Sequence, residues 1–341
     1  MTPYSRVLRA AYSMPWALEE SKLLGLFGLL ELKAAGGNAS EDVLAAIRSE
    51  NAASAARGAA MAGANNSGSI FVLPLFGLMS YRASMMNDIS GGARGTSLDA
   101  WTAQFKQALN DPRISAIVIV AASPGGSVDG CQEAADLVFS ARGKKPVTAI
   151  ADTTAASACF WVISGASEIV VTPSGQVGSI GVFCAHEDDS EALKKQGVKV
   201  SLISAGAFKT EGNAFQPLGD EARAAMQGMV DDYYGMFARS VARGRGVSVA
   251  DVRGGMGQGR MVTAQRAVAL KMADRVGTLD SVLAKYGISS GGGNTRALAA
   301  PGISAQMQRR RDQLRIAQAE NIEVRAANFG SARDRGHGGG F

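Results

Sequence analysis

The stretch ISAIVIVAASPGGSVDG, residues 114–130, decides the fold class of this chain. It begins with a run of apolar, mostly β-branched residues, Ile114–Val120, which is typical of a strand buried on both faces of a parallel sheet. Gly125 and Gly126 then allow the backbone to turn sharply, and a helix is predicted over residues 128–141. A buried strand, a glycine turn and a helix together form one unit of an α/β fold.

The same unit recurs along the chain. Residues 147–151 predict the next strand and residues 155–165 an apolar helix, and the alternation continues to about residue 274. Further strands are predicted over residues 169–171, 178–183 and 198–203, and further helices over residues 220–242 and 263–274. Before the first unit, residues 14–50 have helical periodicity, and residues 51–68 have the Ala, Gly, Asn and Ser composition of a linker.

Composition excludes several kinds of site. The chain has only two histidines, His186 and His337, which argues against histidine-based zinc sites and against a Ser-His-Asp triad. Its three cysteines, Cys131, Cys159 and Cys184, are odd in number and lack CxxC spacing, so a reducing compartment is expected. No metal and no cofactor are expected.

The net charge of +5 belongs mainly to the C-terminal tail, because residues 291–341 carry eight arginines and only four acidic residues. A basic tail of this kind is usually a solvated segment, and no aromatic residues stand beside its arginines to stack on bases, so nucleic-acid binding is not expected. The apolar run Leu23–Leu32 has about half the length of a membrane span, and no transmembrane segment or export signal is expected.

Three short segments carry residues that could do chemistry. The turn at Gly125 and Gly126 could aim backbone N–H groups at an oxyanion, although for this motif alone a plain tight turn is the commoner explanation. Ser157 follows a buried strand, at the sheet edge where open α/β folds hold their sites, but a small packing serine is the ordinary alternative. Lys209 has the apolar neighbours Ala207 and Phe208, which favour the neutral amine of a general base, although most lysines are simply exposed. Since a Ser-Lys dyad needs no histidine, the combination is more informative than any one residue.

Four ordered motifs resemble those of the signal-peptide-peptidase-A (protease IV-like) family of serine peptidases, and most closely its bacteriophage and prophage capsid-maturation branch. They are Ser123-Pro124-Gly125-Gly126, Ala155-Ala156-Ser157-Ala158, Gly178-Ser179-Ile180-Gly181-Val182 and Ala205-Gly206-Ala207-Phe208-Lys209. The resemblance covers roughly residues 14–290.

The resemblance implies a role for each matching residue. Ser157 would be the nucleophile and Lys209 its general base, and the oxyanion hole would come from the backbone of Gly126, Gly125 and Ala158. The implied fold is the Clp-protease/crotonase-like α/β spiral of repeated β-β-α units, here with a helical N-terminal extension. Such proteins often assemble into rings, so a homo-oligomer is expected.

We therefore expect a helical extension and linker over residues 1–66, a Ser-Lys peptidase domain over residues 67–290 and a disordered basic tail over residues 291–341. The implied function is cleavage of phage scaffold, capsid or portal proteins, and of the chain itself, during prohead maturation in the bacterial host cytoplasm. Three alternatives stay open: a bacterial peptidase that degrades signal peptides, a prohead structural component with a dispensable site, and acyl-CoA chemistry on the same fold.

Overall fold

The computed structural model of this protein describes residues 14–18, 70–82 and 95–288. The strands in these ranges are Trp16–Leu18 (β1), Ile70–Phe76 (β2), Met79–Ser80 (β3), Thr96–Ser97 (β4), Ala116–Ser123 (β5), Gly125–Ser127 (β6), Val147–Ala156 (β7), Glu168–Val171 (β8), Gln176–Gly178 (β9), Met261–Thr263 (β10) and Arg275–Val276 (β11). The helices are Leu98–Asn110 (α1), Cys131–Ala141 (α2), Ala158–Ile163 (α3), Ser190–Lys195 (α4), Asp220–Arg245 (α5), Val249–Gly255 (α6), Ala264–Ala269 (α7) and Leu279–Lys285 (α8).

The strands form two sheets. In the larger sheet, β2, β5 and β7 are parallel neighbours, and β7 is long enough to pair with β8 along its first half and with β9 along its second half. Strand β11 adds parallel to β8, and β10 adds antiparallel to β9. The smaller sheet has the order β1-β6-β3-β4, in which β1 runs antiparallel to β6.

The two sheets are built by a repeating order of elements. Strand β2 of the larger sheet is followed by β3 and β4 of the smaller sheet and by helix α1, and β5 is followed in the same way by β6 and α2. Strand β7 then leads directly into α3. The predicted α/β fold with repeated β-β-α units is confirmed.

Both faces of the larger sheet are buried. On β5, Ile117 and Ile119 belong to the main hydrophobic cluster under the helices, whereas Val118 and Val120 point into a second cluster. Val282 of α8 belongs to that second cluster. This two-sided burial explains why β5 reads as one continuous apolar run in the sequence.

Three local predictions are wrong. Residues 16–18 form a strand, not the start of a helix, and the rest of the predicted helical extension lies outside the described residues. Residues 198–203 form no strand, and β9 ends at Gly178 instead of continuing to residue 183. The tail over residues 291–341 also lies outside the described residues, so the domain boundaries stay a prediction.

Helices α3 and α5 cross at very close range near Gly244. A methyl group added to Gly244 would lie 2.1 Å from the carbonyl oxygen of Ser164, which follows α3 directly. On the same pair of helices, the rings of Trp161 and Phe237 stack with centroids 4.8 Å apart. Because a backbone atom cannot move aside as a flexible side chain can, the contact requires glycine at this position.

We expect Gly244→Ala to lower the free energy of unfolding by about 1–3 kcal/mol, because α5 must shift away from α3. The matched control is Gly228→Ala in the same helix, where an added methyl group meets nothing within 4 Å. The control should gain about 0.5–1 kcal/mol from its higher helix propensity. Urea unfolding of both variants measures the two free energies, and equal stabilisation by both substitutions would contradict the close crossing.

Helix α8 is attached to the sheet through Glu168, at the start of β8. The Glu168 carboxylate accepts hydrogen bonds from Arg275 Nε at 2.8 Å, Lys285 Nζ at 2.6 Å and Thr148 Oγ1 at 3.2 Å. Burial opposes ionisation of this carboxyl group, but the hydrogen bonds from Lys285 and Arg275 outweigh it and hold the pKa of Glu168 below its ordinary value of 4.5. The three hydrogen bonds therefore stabilise the ionised form.

We expect Glu168→Gln to lower the free energy of unfolding at pH 7 by about 1–3 kcal/mol. A lowered folded-state pKa stabilises the fold above pH 4.5, and that stability is lost as the pH falls through the pKa of Glu168. The difference between the variant and the parent should therefore shrink towards pH 3. Thermal unfolding at both pH values tests this, with Glu191→Gln, from the exposed pair with Lys194, as the control that should change little.

Candidate active site

Ser157 lies at the junction between β7 and α3 with a strained backbone. Its φ of 53° is positive, which is uncommon for a residue other than glycine, and α3 begins at the next residue. The Ser157 carbonyl accepts the first helical hydrogen bond, from Trp161 N at 2.8 Å, and its own N–H donates to Gly178 O at 2.7 Å. Backbone strain that the surrounding hydrogen bonds hold in place is a common property of functional residues.

The Ser157 hydroxyl is buried and has no hydrogen-bond partner within the described ranges. The residue is 1% exposed, and Oγ finds neither a donor nor an acceptor there. Buried hydroxyls are nearly always hydrogen bonded, so an unpartnered one calls for a chemical explanation. Its oxygen is therefore available to a base and to a substrate, as the oxygen of a nucleophile would need to be.

Gly125 forms the wall opposite Ser157. It has a φ of +103°, and a methyl group on it would lie 3.0 Å from Ser157 Cβ and 2.3 Å from the carbonyl oxygen of Ala17. Its N–H already donates to Ser123 Oγ at 3.1 Å, so it is engaged as a hydrogen-bond donor. In this arrangement Gly125 provides space beside Ser157, while its N–H is not directed at a substrate.

The other two predicted oxyanion donors, Gly126 and Ala158, lie next to this pair in the chain. Gly126 passes so close to β3 that a methyl group on it would lie 1.9 Å from Met79 O, which fixes the position of the glycine backbone. Ala158 is the first residue of α3, where N–H groups have no acceptor within the helix. Both backbones could therefore offer N–H groups beside Ser157.

Lys209 is not joined to Ser157. It lies in an exposed turn, where its backbone N–H donates to Gly206 O at 3.2 Å. Since Ser157 Oγ has no hydrogen-bond partner in the part of the chain that is described, Lys209 Nζ does not bond to it. His186 does not bond to Ser157 Oγ either, and its Nε2 contacts the carbonyl oxygen of Asn213 at 3.1 Å.

Cys159 is the other group with nucleophilic chemistry near Ser157, two residues further along α3. It is fully buried, and burial raises the pKa of its thiol well above the ordinary value. Burial raises the pKa of the Cys131 thiol in the same way. Because the thiolate is the reactive form, these cysteines are packing groups here, as the sequence indicated.

Sequence reasoning did not place residues 16–18 at this site. They pair with β6, the strand that carries Gly125 and Gly126. Pro15 is the signal that could have indicated this, because proline disfavours helical geometry in the residue before it and is common beside extended segments. Among the described residues, no group of three or more His, Cys, Asp or Glu side chains could hold a metal ion.

Residues 140–290 match the sequence profile of Peptidase family S49. This range contains Ser157 and Lys209. The resemblance predicted from the four motifs is confirmed.

The relatives with curated names include two phage proteins. The chain is 37% identical over 185 residues to the head-tail preconnector protein GP5 of Enterobacteria phage P21, which covers 54% of this chain and 36% of the relative. It is also 37% identical over 180 residues to the capsid assembly protease C of Escherichia phage lambda, covering 53% of this chain and 40% of the relative. The chain thus spans well under half the length of these two proteins.

More distant likenesses reach bacterial proteases and solved structures. Protease 4 of Salmonella typhi is 30% identical over 188 residues, covering 55% of this chain and 30% of the relative. A membrane-bound stomatin-specific protease superimposes with a TM-score of 0.39 at 16% identity, covering 63% of this chain and 83% of its own. The ClpP catalytic domain from Plasmodium falciparum has a TM-score of 0.35 at 11% identity, covering 61% and 83%. No helix in the described ranges is long and apolar enough to cross a membrane.

Proposed function

We propose that this protein is a serine endopeptidase in which Ser157 is the nucleophile and Lys209 the general base. The observation that carries the proposal is the buried, unpartnered hydroxyl of Ser157, held at a positive φ beside Gly125. The match of residues 140–290 to a peptidase family supports the same conclusion.

The proposed reaction has two halves. Neutral Lys209 Nζ accepts the proton of Ser157 Oγ as the oxygen attacks the scissile carbonyl carbon, and the resulting ammonium donates that proton to the leaving amine. Water then attacks the acyl-enzyme with Lys209 again as the base. The N–H groups of Gly126 and Ala158 stabilise the negative charge on the carbonyl oxygen in both halves, because their positions are fixed by the packing described above.

We further propose that the substrates are phage head proteins, namely scaffold, capsid or portal proteins or the chain itself, cleaved inside the assembling prohead in the bacterial host cytoplasm. The support is the 37% identity to a phage capsid assembly protease and to a phage head-tail preconnector protein.

We expect Ser157→Ala to abolish hydrolysis of a fluorogenic peptide and labelling by a fluorophosphonate probe. Lys209→Ala should lower the hydrolysis rate by about 10²–10⁴-fold, the usual contribution of a general base. Lys144→Ala, an exposed lysine between α2 and β7, is the matched control and should keep the parent rate. Hydrolysis that persists in Ser157→Ala would refute the proposed nucleophile.

The substrate proposal is tested by producing the chain together with the capsid, scaffold and portal proteins from the same genome. Mass spectrometry of the particles should find new termini with the parent chain and none with Ser157→Ala. Intact head proteins in both samples, combined with active peptide hydrolysis, would instead favour a general peptide-degrading role.

We also propose that the protein works as a homo-oligomer, held together by the segment over residues 198–208. Five of the seven large apolar side chains exposed in the described ranges lie in this segment, and Ile203 is 98% exposed. Val198, Val200 and Leu202 alternate as in a strand, yet the segment pairs with no strand among the described residues. A second copy is the proposed partner, because the segment and the adjoining helix α4 are basic and the exposed half of α5 is acidic.

The two surfaces differ in charge, and both belong to the same chain. The basic surface carries Lys194, Lys195 and Lys199, and the acidic surface carries Asp231 and Asp232 beside the exposed Met236. Contact between unlike surfaces on successive copies is the arrangement that closes into rings. It would also withdraw Lys209 from solvent.

We expect Ile203→Glu to reduce the molar mass measured by light scattering from that of an oligomer to that of one chain, because a buried contact would gain a charge. Tyr81→Glu is the control, since Tyr81 is also exposed but lies outside the segment. A parent protein that is monomeric at micromolar concentration, or an oligomer unaffected by Ile203→Glu, would contradict the proposed interface.

A further inference from the structure

Residues 16–18 are bound as a strand between two segments of the candidate active site. On one side they pair antiparallel with β6, with Trp16 opposite Ser127 and Leu18 opposite Gly125. On the other side Trp16 N donates to Phe183 O at 2.7 Å, and Phe183 N donates to Trp16 O at 3.0 Å. A short segment of the chain therefore has backbone partners on both sides.

This strand passes directly by Ser157. A methyl group added to Gly125 would lie 2.3 Å from Ala17 O and 3.0 Å from Ser157 Cβ. The Ala17 carbonyl and the Ser157 side chain are therefore both next to Gly125. Trp16, Ala17 and Leu18 are at most 4% exposed, and Ser157 is 1% exposed. With this segment in place, an added peptide has no route to Ser157 between β6 and Phe183.

We propose that the groove between residues 125–127 and 180–183 binds the peptide substrate as an added strand, and that residues 14–18 occupy it as a built-in competitor. The inference rests on the proposed function of Ser157. In such binding, main-chain hydrogen bonds provide affinity, and pockets for alternate side chains provide specificity. Ala17 takes the position of the residue whose carbonyl would be attacked.

The segment also defines the class of peptide that fits. Ala17 is fully buried and belongs to the main hydrophobic cluster, so its position leaves no room for a larger side chain. Trp16 and Leu18 on either side of it are large and apolar, and both are buried. The groove therefore selects extended peptides with a small residue at the attacked position and large apolar neighbours.

The bound segment stays uncleaved in this arrangement because Ser157 Oγ has no base. Its hydroxyl bonds to no partner in the described residues, and Lys209 lies in an exposed turn. The structure with residues 14–18 in the groove and with Lys209 away from Ser157 is therefore an inactive state in both respects. Activation requires that the segment leave the groove and that Lys209 approach Ser157.

A binding experiment that needs no catalysis tests the occupied groove. The probe is a fluorescein-labelled peptide with the sequence of residues 13–20, SMPWALEE, added to full-length chains that carry Ser157→Ala. Adding Trp16→Ala should loosen the built-in segment, so that the probe binds at least tenfold more tightly than to the chain with Ser157→Ala alone. A probe with leucine in place of the alanine should bind at least tenfold more weakly.

The matched control is Trp101→Ala, because Trp101 is as buried as Trp16 but lies on α1 outside the groove. It should bind the probe no better than the parent. Leu18→Ala is a milder second variant in case Trp16→Ala does not fold, which circular dichroism will reveal. Equal probe affinity in the parent and in both loosened variants would overturn the inference.

An activity measurement separates this inference from the proposed function. In chains that retain Ser157, Trp16→Ala or Leu18→Ala should raise the rate of fluorophosphonate labelling at Ser157 at least tenfold. If the loosened variants bind the probe tightly but no chain is labelled, the proposed groove is supported and Ser157 is refuted as a nucleophile. If parent and variants are labelled at equal rates and bind the probe with equal affinity, the proposed peptidase function stands and the proposal that residues 14–18 compete with substrate is refuted.

Discussion

The contact on which the rest of the site depends is the crowding of three backbones around Gly125 and Gly126. The carbonyl oxygens of Ala17, Met79 and Ala156 all come within about 3 Å of where a methyl group on one of these glycines would stand. No other residue can occupy these two positions without moving β6. Strand β6 belongs to the smaller sheet and carries Gly125, which lies beside Ser157. Packing that cannot shift also holds N–H groups in a fixed direction, which is what the proposed oxyanion site at Gly126 and Ala158 requires.

Strand β7 extends this rigidity to the nucleophile. Its first half is held between β5 and β8, and its second half continues to pair with β9 before the chain turns at Ser157. The strained φ of Ser157 therefore follows a ten-residue strand that is paired in both of its halves, and it precedes a helix that is buried throughout. Strain of this kind persists only where the surroundings determine the backbone more strongly than the residue's own preference, and β7 and α3 supply those surroundings.

The sequence predicted the parts of the molecule that depend on local pattern. The continuous apolar run of β5, the glycine turn and the helices α2 and α5 followed from periodicity and from turn residues. The short strands did not: β1 and β6 have three residues each, and they become strands only because segments distant in the sequence pair with them. Residues 198–203 show the reverse case, since their strand pattern is clear but no strand in the described part of the chain pairs with them. The family resemblance singled out Ser157 and Gly125, which the fold brings next to each other. It did not indicate that the Gly125 N–H is taken by Ser123 or that Lys209 lies apart.

Two separate features keep the proposed enzyme inactive, and they respond to different conditions. The groove is filled by residues of the same chain, so its occupation does not depend on protein concentration, and only a competing peptide or a change in the chain can empty it. The proposed approach of Lys209 depends on a neighbouring copy, so by mass action it increases with the local concentration of the protein. A protease with both features would be inactive when dilute and free of substrate. It would become active where many copies and suitable peptide segments are confined together, as they are within an assembling shell.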